Sequence, residues 1–270
     1  MGLPGLSAPA TELKSSETEA ARIDVFIPAS YSRLEDLSSH TYAGVMFLLI
    51  VFLNIFLGLW LESQGSELAL HAVTVATWLV FFWVFFRADG VTRTEMACCL
   101  VFATLGELFL SEVWNLYAYR QGALPWFVPP GHVLLYLAGI QLSTRLGKNW
   151  WKIVPVLMTP INLYFWWSGR DTIGILFFTV FLVLLWREKR NRDLYVTMFI
   201  LSLVMEIYGT AMGSWRWATV VPWFGLTSLN PPLCAGVFYC LLDALVVQVK
   251  RFKKSSPMAA DPLLVKNLIS

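Results

Sequence analysis

The stretch TEMACCLVFATLGELFLSEVWNLY, residues 94–117, decides how this chain is read. Its apolar residues lack the strict alternation of a strand, and it runs far beyond the ~10 residues of a membrane barrel strand. It matches instead the roughly 20 residues that a helix needs to cross about 30 Å of hydrocarbon. Beyond Glu95 at its start, two carboxyl groups stand within it, Glu107 near the middle and Glu112 nearer the far end. An ionisable group inside a membrane helix is costly, so each such residue marks a functional candidate.

Working outward, the whole chain shares this character. Of 270 residues, 57% are hydrophobic and 14% charged, against about 45–50% and 25% for an ordinary soluble domain. That composition excludes a water-soluble enzyme. Further apolar segments lie near 42–62, 68–86, 129–146, 149–168, 171–187, 194–213 and 230–249. The sequence therefore predicts an all-α, polytopic membrane helix bundle of about eight transmembrane helices. Residues 1–41 form a polar N-terminal tail without the apolar run of a signal peptide, and residues 251–270 a basic C-terminal tail. Lys and Arg concentrate on the cytoplasmic side of short loops. With both ends cytoplasmic, every Lys and Arg falls inside except Arg120, Arg170 and Arg216. The net charge of +2 is spread in short clusters, so no nucleic-acid partner is expected.

The chain also reads as a tandem duplication. Pro125-Trp126-Phe127 recurs as Pro222-Trp223-Phe224, and each copy is followed by a Pro pair, Pro129-Pro130 and Pro231-Pro232. Counting back, Glu107 matches Glu206, Ser111 matches Thr210 and Arg87 matches Arg187; Asn54-Ile55-Phe56 also resembles Asn162-Leu163-Tyr164. The reading is two four-helix halves, 42–147 and 148–250, inserted in the same direction and related by an axis along the membrane normal. Each Pro pair is expected to open the helix that returns into the membrane, where a missing N–H costs nothing.

The interface between such halves is where chemistry is to be sought. Glu107, Ser111 and Trp114 share one helix face, and Glu206, Thr210 and Gly213 repeat that spacing. Asp243 shares a face with Tyr239 and Gly236, opposite Gln141 in the duplicated frame, so this acid belongs to one half only. An apolar setting favours the neutral carboxylic acid, which suits acid-initiated chemistry on a carbon–carbon double bond or epoxide. Aromatic faces then stabilise a cationic intermediate. Glu107, Glu206 and Asp243 are the catalytic candidates, and Trp114, Tyr117, His132, Trp215, Trp217 and Tyr239 the substrate-binding ones. Tyr119 lies in the same aromatic group.

Plainer roles stand beside each of these. The carboxyls also read as hydrogen-bonded glue between helices, the tryptophans as an interfacial belt, and His132 as a cap at the mouth of its helix. Cys98, Cys99, Cys234 and Cys240 lie in apolar runs without ligand spacing and read as core. His40, His71 and His132 are too scattered for a di-iron desaturase, and no hydrolase, phosphate-loop or zinc-protease pattern occurs. No metal or cofactor is expected, and the sequence assigns no oligomeric state.

From Glu206 the chain reads Glu-x-x-Gly-x-x-x-Gly-x-Trp-x-Trp through Gly209, Gly213, Trp215 and Trp217, then continues to Pro222 and Asn230-Pro231-Pro232. This stretch resembles the polytopic carotenoid-biosynthesis family that contains the bisanhydrobacterioruberin hydratases. There a helix with Glu and spaced glycines leads into an aromatic loop. The likeness is confined to this stretch, and Ser214-Trp215-Arg216-Trp217 stands where the family has a Gly-Tyr-type loop. The resemblance implies an isoprenoid substrate and hydration or cyclisation, with Glu206 carried across. The expectation is a membrane-embedded enzyme acting on an apolar isoprenoid or lipid by carboxyl acid–base chemistry. The alternative is a transporter or lipid-binding protein that uses the same carboxyls.

Overall fold

The computed structural model describes residues 42–146 and 149–255. The tails assigned to 1–41 and, beyond Ser255, to the C-terminus lie outside the described residues. Eight α-helices follow in order: α1 Tyr42–Ser63, α2 Glu67–Arg87, α3 Gly90–Leu108, α4 Val128–Arg145, α5 Ile153–Trp167, α6 Thr172–Arg187, α7 Arg192–Met212 and α8 Val237–Ser255. A π-helical turn, Phe109–Val113, prolongs α3, and a 3-10 turn, Trp150–Lys152, precedes α5. Among the described residues, four spans are long and apolar enough to cross a membrane: Gly44–Ser63, Glu67–Arg87, Gly90–Val113 and Arg192–Met212. Their mean hydropathy runs from 1.6 to 2.5. The surface agrees with this, since Leu68, Phe86, Val156, Trp167 and Trp186 are each at least 69% exposed. Exposed apolar side chains of that size suit a lipid surrounding, and the four apolar helices are compatible with an integral membrane protein.

Local chemistry sets the helix ends. Asp89 caps α3 by accepting from the amides of Val91 at 2.8 Å and Thr92 at 3.0 Å. Asp171 caps α6 by accepting from the Gly174 amide at 3.2 Å, and it also accepts from the Leu233 amide at 2.8 Å. Pro129 and Pro130 fill the first turn of α4, as expected. Pro231 and Pro232 do not open α8. That helix starts at Val237, and residues 230–236 form turns around a cis Asn230–Pro231 bond.

Helices α3, α4, α7 and α8 contact one another in a closed ring, α3 to α4, α4 to α7, α7 to α8 and α8 to α3. The pair α1–α2 packs on α4, with α1 also reaching α7, while α6 of the pair α5–α6 packs on α8.

The expectation of purely helical structure needs one correction. Tyr117–Tyr119 forms β1 and Trp215–Trp217 forms β2, paired antiparallel with Tyr117 opposite Trp217, Ala118 opposite Arg216 and Tyr119 opposite Trp215. Side chains alternate across a strand, so the four aromatic residues share one buried face while Ala118 and Arg216 face out. The ribbon is anchored at Glu62, which is 1% exposed at the end of α1. Glu62 accepts from the Ser214 hydroxyl at 2.5 Å and from the Gln121 amide, and its carboxylate lies 3.8 Å from the Arg120 guanidinium. Arg120 also donates to the carbonyls of Met212 and Gly213, placing a cation at the negative end of α7. Gly213 ends that helix in the left-handed region at φ 71°, which favours glycine.

Candidate functional site

Two carboxyl groups sit beneath the buried face of the strand pair. Glu107, from the last turn of α3, accepts through Oε2 from the hydroxyls of Tyr117, at 2.5 Å, and Tyr119. Burial, and next the Glu107 charge, push both phenols well above their ordinary range, so they remain donors. Glu206, from α7, accepts through Oε2 from the indole N–H groups of Trp215 at 2.8 Å and Trp217 at 3.0 Å. Alternate residues of each strand therefore hold one carboxyl. Tyr117 and Trp217, directly opposed across the strands, bring their rings to 4.9 Å.

His132, one turn into α4, completes the Glu107 side. Its Nδ1 lies 3.0 Å from the Val128 carbonyl oxygen and its Nε2 lies 3.1 Å from Glu107 Oε1. A carbonyl can only accept, so Nδ1 carries a hydrogen. One further proton is then shared between Nε2 and Oε1. The opposite face of the imidazole stacks on Tyr239 of α8, with centroids 4.8 Å apart and planes 3° from parallel.

This cluster borders two adjoining cavities. The first lies toward α1, α2, α4 and α7 and is lined by residues that include Asn54, Thr77, Leu135, Met205 and Trp215. The second lies between α3 and α8 and is lined by residues that include Phe102, Gly106, Trp114, Trp217 and Leu242. Glu107, Tyr117, His132, Glu206 and Tyr239 line both. Eight of the nine candidate site residues thus border a cavity.

Asp243 is the exception. It lines neither cavity, is 0% exposed one turn along α8 from Tyr239, and has no hydrogen-bond partner for either carboxyl oxygen among the described residues. Ser111 and Thr210 also differ from expectation. Each hydroxyl donates to the backbone carbonyl of the Glu four residues earlier, at 2.8 Å in both cases, and Ser111 lies 3.2 Å from Glu112. A Ser or Thr within a helix commonly turns back in this way. The π-helical turn ends the regular spacing before Trp114, whose indole donates to the Pro222 carbonyl at 2.9 Å and stacks on Trp223.

Comparison with family models, with curated proteins and with solved structures gives no match for this chain. The site is accordingly read from its own chemistry.

Three contributors escaped the sequence reading. Tyr119 stood there only as a nearby aromatic residue, yet it donates to Glu107. The alternation Tyr-Ala-Tyr and Trp-Arg-Trp, following Glu107 and Glu206 at nearly equal distance, was the signal that both pairs share a strand face. Asn54 and Thr77 hydrogen-bond each other across α1 and α2 at 3.1 Å on the far wall of the first cavity. Asn54 stands out as a polar residue inside an apolar run, but its partner lies in the next helix. Among the described residues, no three His, Cys, Asp or Glu side chains group closely enough to hold a metal ion.

Proposed function

We propose that this protein is a membrane-embedded enzyme that acts on an apolar isoprenoid or lipid by carboxyl-mediated acid–base chemistry: hydration, cyclisation or isomerisation. One observation carries the reading. Two carboxyls from different helices, each oriented by paired donors, border the same apolar space. A group that moves protons within a low-dielectric cavity needs such orientation.

The division of labour follows from the donors. Both indoles address Oε2 of Glu206, so a proton on Oε1 is free to pass to a substrate double bond. Protonation leaves a carbocation, which the π-faces of Tyr117, Trp217 and Tyr239 stabilise. The Glu107–His132 pair then takes a proton, from an adjacent carbon in isomerisation or cyclisation, or from an added water in hydration. Proton and charge balance in each case once the proton taken by the Glu107–His132 pair passes back to Glu206, which restores both groups for the next turnover. Asp243, out of reach of both cavities, takes no part in this scheme.

The eight helices are read as eight crossings with both termini cytoplasmic, arranged as two parallel halves. An antiparallel strand pair has a local twofold axis normal to its plane, and a ribbon lying flat across the bundle directs that axis along the membrane normal. The matched cradles, Glu107 with two tyrosines and Glu206 with two tryptophans, suit that symmetry. The segment 150–167 spans about 28 Å at helical rise, close to the hydrocarbon thickness.

Mass spectrometry of lipid extracts from cells with the gene, without it, and with Glu206→Gln tests the function. The expected result is a precursor, differing from the product by water or isomeric with it, that accumulates in the latter two. Unchanged lipids with altered uptake would replace the enzyme by a transporter.

A further inference from the structure

The two cavities differ in a way that narrows the substrate. In the first, a water-molecule centre can reach about 50 Å³; in the second, about 290 Å³. To the Glu107–His132 pair and Glu206, which both cavities share, the small one adds the polar side chains of Asn54 and Thr77. Beyond the residues that the two share, the large cavity is lined by carbon-rich side chains, from Phe102, Leu110 and Phe238 to Leu245. Phe109 and Leu245, 45% and 51% exposed, stand where it meets the surface between α3 and α8.

Charge limits what fits the polar end. Among the described residues no Lys or Arg lines either cavity, whereas two carboxyls do, and the one imidazole is already engaged with Glu107. A diphosphate brought there would lose its hydration with no cation to replace it. A pure hydrocarbon would offer nothing to the amide of Asn54, whose nitrogen keeps a second N–H beyond its bond to Thr77 and whose oxygen, 3.5 Å from the Thr77 hydroxyl, keeps a lone pair.

We infer that the substrate is an amphiphile with a compact, uncharged hydroxyl or carbonyl head and an apolar tail. The head sits in the small cavity against Asn54 and Thr77; the tail lies in the large one and enters from the bilayer between α3 and α8. This rests on the apolar-substrate reading above and narrows its class. Asn54 and Thr77 select the head, while the carboxyl pair acts where head and tail meet.

Equilibrium binding of three radiolabelled probes to the purified full-length protein in detergent tests this: farnesol, farnesyl diphosphate and squalene. Farnesol should bind saturably, and the other two about tenfold more weakly or worse, the loss of about one good hydrogen bond or more. Thr77→Val, which keeps side-chain shape, and Asn54→Leu should each weaken farnesol about tenfold and leave squalene unchanged. Gly106→Trp, filling the large cavity, should weaken both. Retained thermal unfolding identifies the variants that fold, and the probe ranking on the unmodified protein needs none of them. Diphosphate binding as tight as farnesol, or farnesol binding indifferent to Thr77→Val, would overturn the inference while leaving the apolar site standing. Absence of saturable binding by all three probes would overturn that site as well.

Discussion

The two carboxyls are held in the same way by different chemistry. Tyrosine hydroxyls hold Glu107 and indoles hold Glu206. A phenol both donates and accepts, whereas an indole only donates. Glu107 thus belongs to a network of exchangeable protons that includes His132, while the donors on Glu206 cannot pass a proton onward. In the proposed reaction this makes one side a relay and the other a fixed acid. Size differs too. The ring of Trp215 lies against the backbone of Gly209, leaving no room there for a Cβ, whereas Leu110 stands three residues after Glu107 on the side of the smaller phenols.

The largest expected effects break this contrast directly. Glu206→Gln should lower product formation by about 10²–10⁴-fold, the usual share of a general acid, as measured by mass spectrometry of lipid extracts. Glu107→Gln should fall less far, because His132 remains as a proton acceptor. Equal losses would show that the two sides do the same work.

Stability separates the ribbon from the chemistry beneath it. Glu62→Ala leaves Ser214 and Gln121 without this acceptor and Arg120 without its carboxylate partner and should cost about 3 kcal/mol, near the lower end for breaking a buried pair. A lowered thermal unfolding midpoint in detergent reads it. Gly209→Ala should cost about 1–3 kcal/mol by overpacking and release the Trp215 indole from Glu206, seen as a changed tryptophan emission spectrum. Tyr119→Phe and Trp215→Phe each delete one donor and should slow product formation about tenfold. Only Tyr119→Phe should reduce the solvent isotope effect, since only the phenol exchanges its proton within a relay. Smallest is Asp171→Ala, which loses a helix cap worth about 1 kcal/mol and should lower the unfolding midpoint without changing product formation.

Much of this was legible from patterning. The helix starts at residues 42, 67, 128, 172 and 192, and the 3-10 turn from residue 150 that leads into α5, follow the apolar runs closely, because hydrophobic length is a strong local signal. The ends of the third and eighth segments were not legible. Residues 114–117 continue the apolar run of α3, but the π-helical turn and pairing with Trp217 draw Tyr117 into a strand. Residues 230–236 are apolar enough for helix, yet their backbone is held in turns, with Leu233 donating to Asp171. The repeated Pro-Trp-Phe misleads in detail. Phe127 is buried and leads straight into α4, whereas Trp223 and Phe224 are 66% and 62% exposed and lie well before α8. Of the site, the carboxyls and most aromatics were found because polar atoms in apolar runs are conspicuous. The hydrogen bonds between Asn54 and Thr77, and from Tyr119 to Glu107, depend on tertiary placement that spacing alone does not encode.

The central claim is that Glu107 and Glu206 act on one substrate in one site. A double-variant cycle on product formation, with Glu107→Gln, Glu206→Gln and the two combined, tests it most directly. Residues that act as a unit are strongly non-additive, so the double variant should be scarcely slower than Glu206→Gln alone. Losses that multiply as independent factors, or full product formation in the double variant, would contradict it.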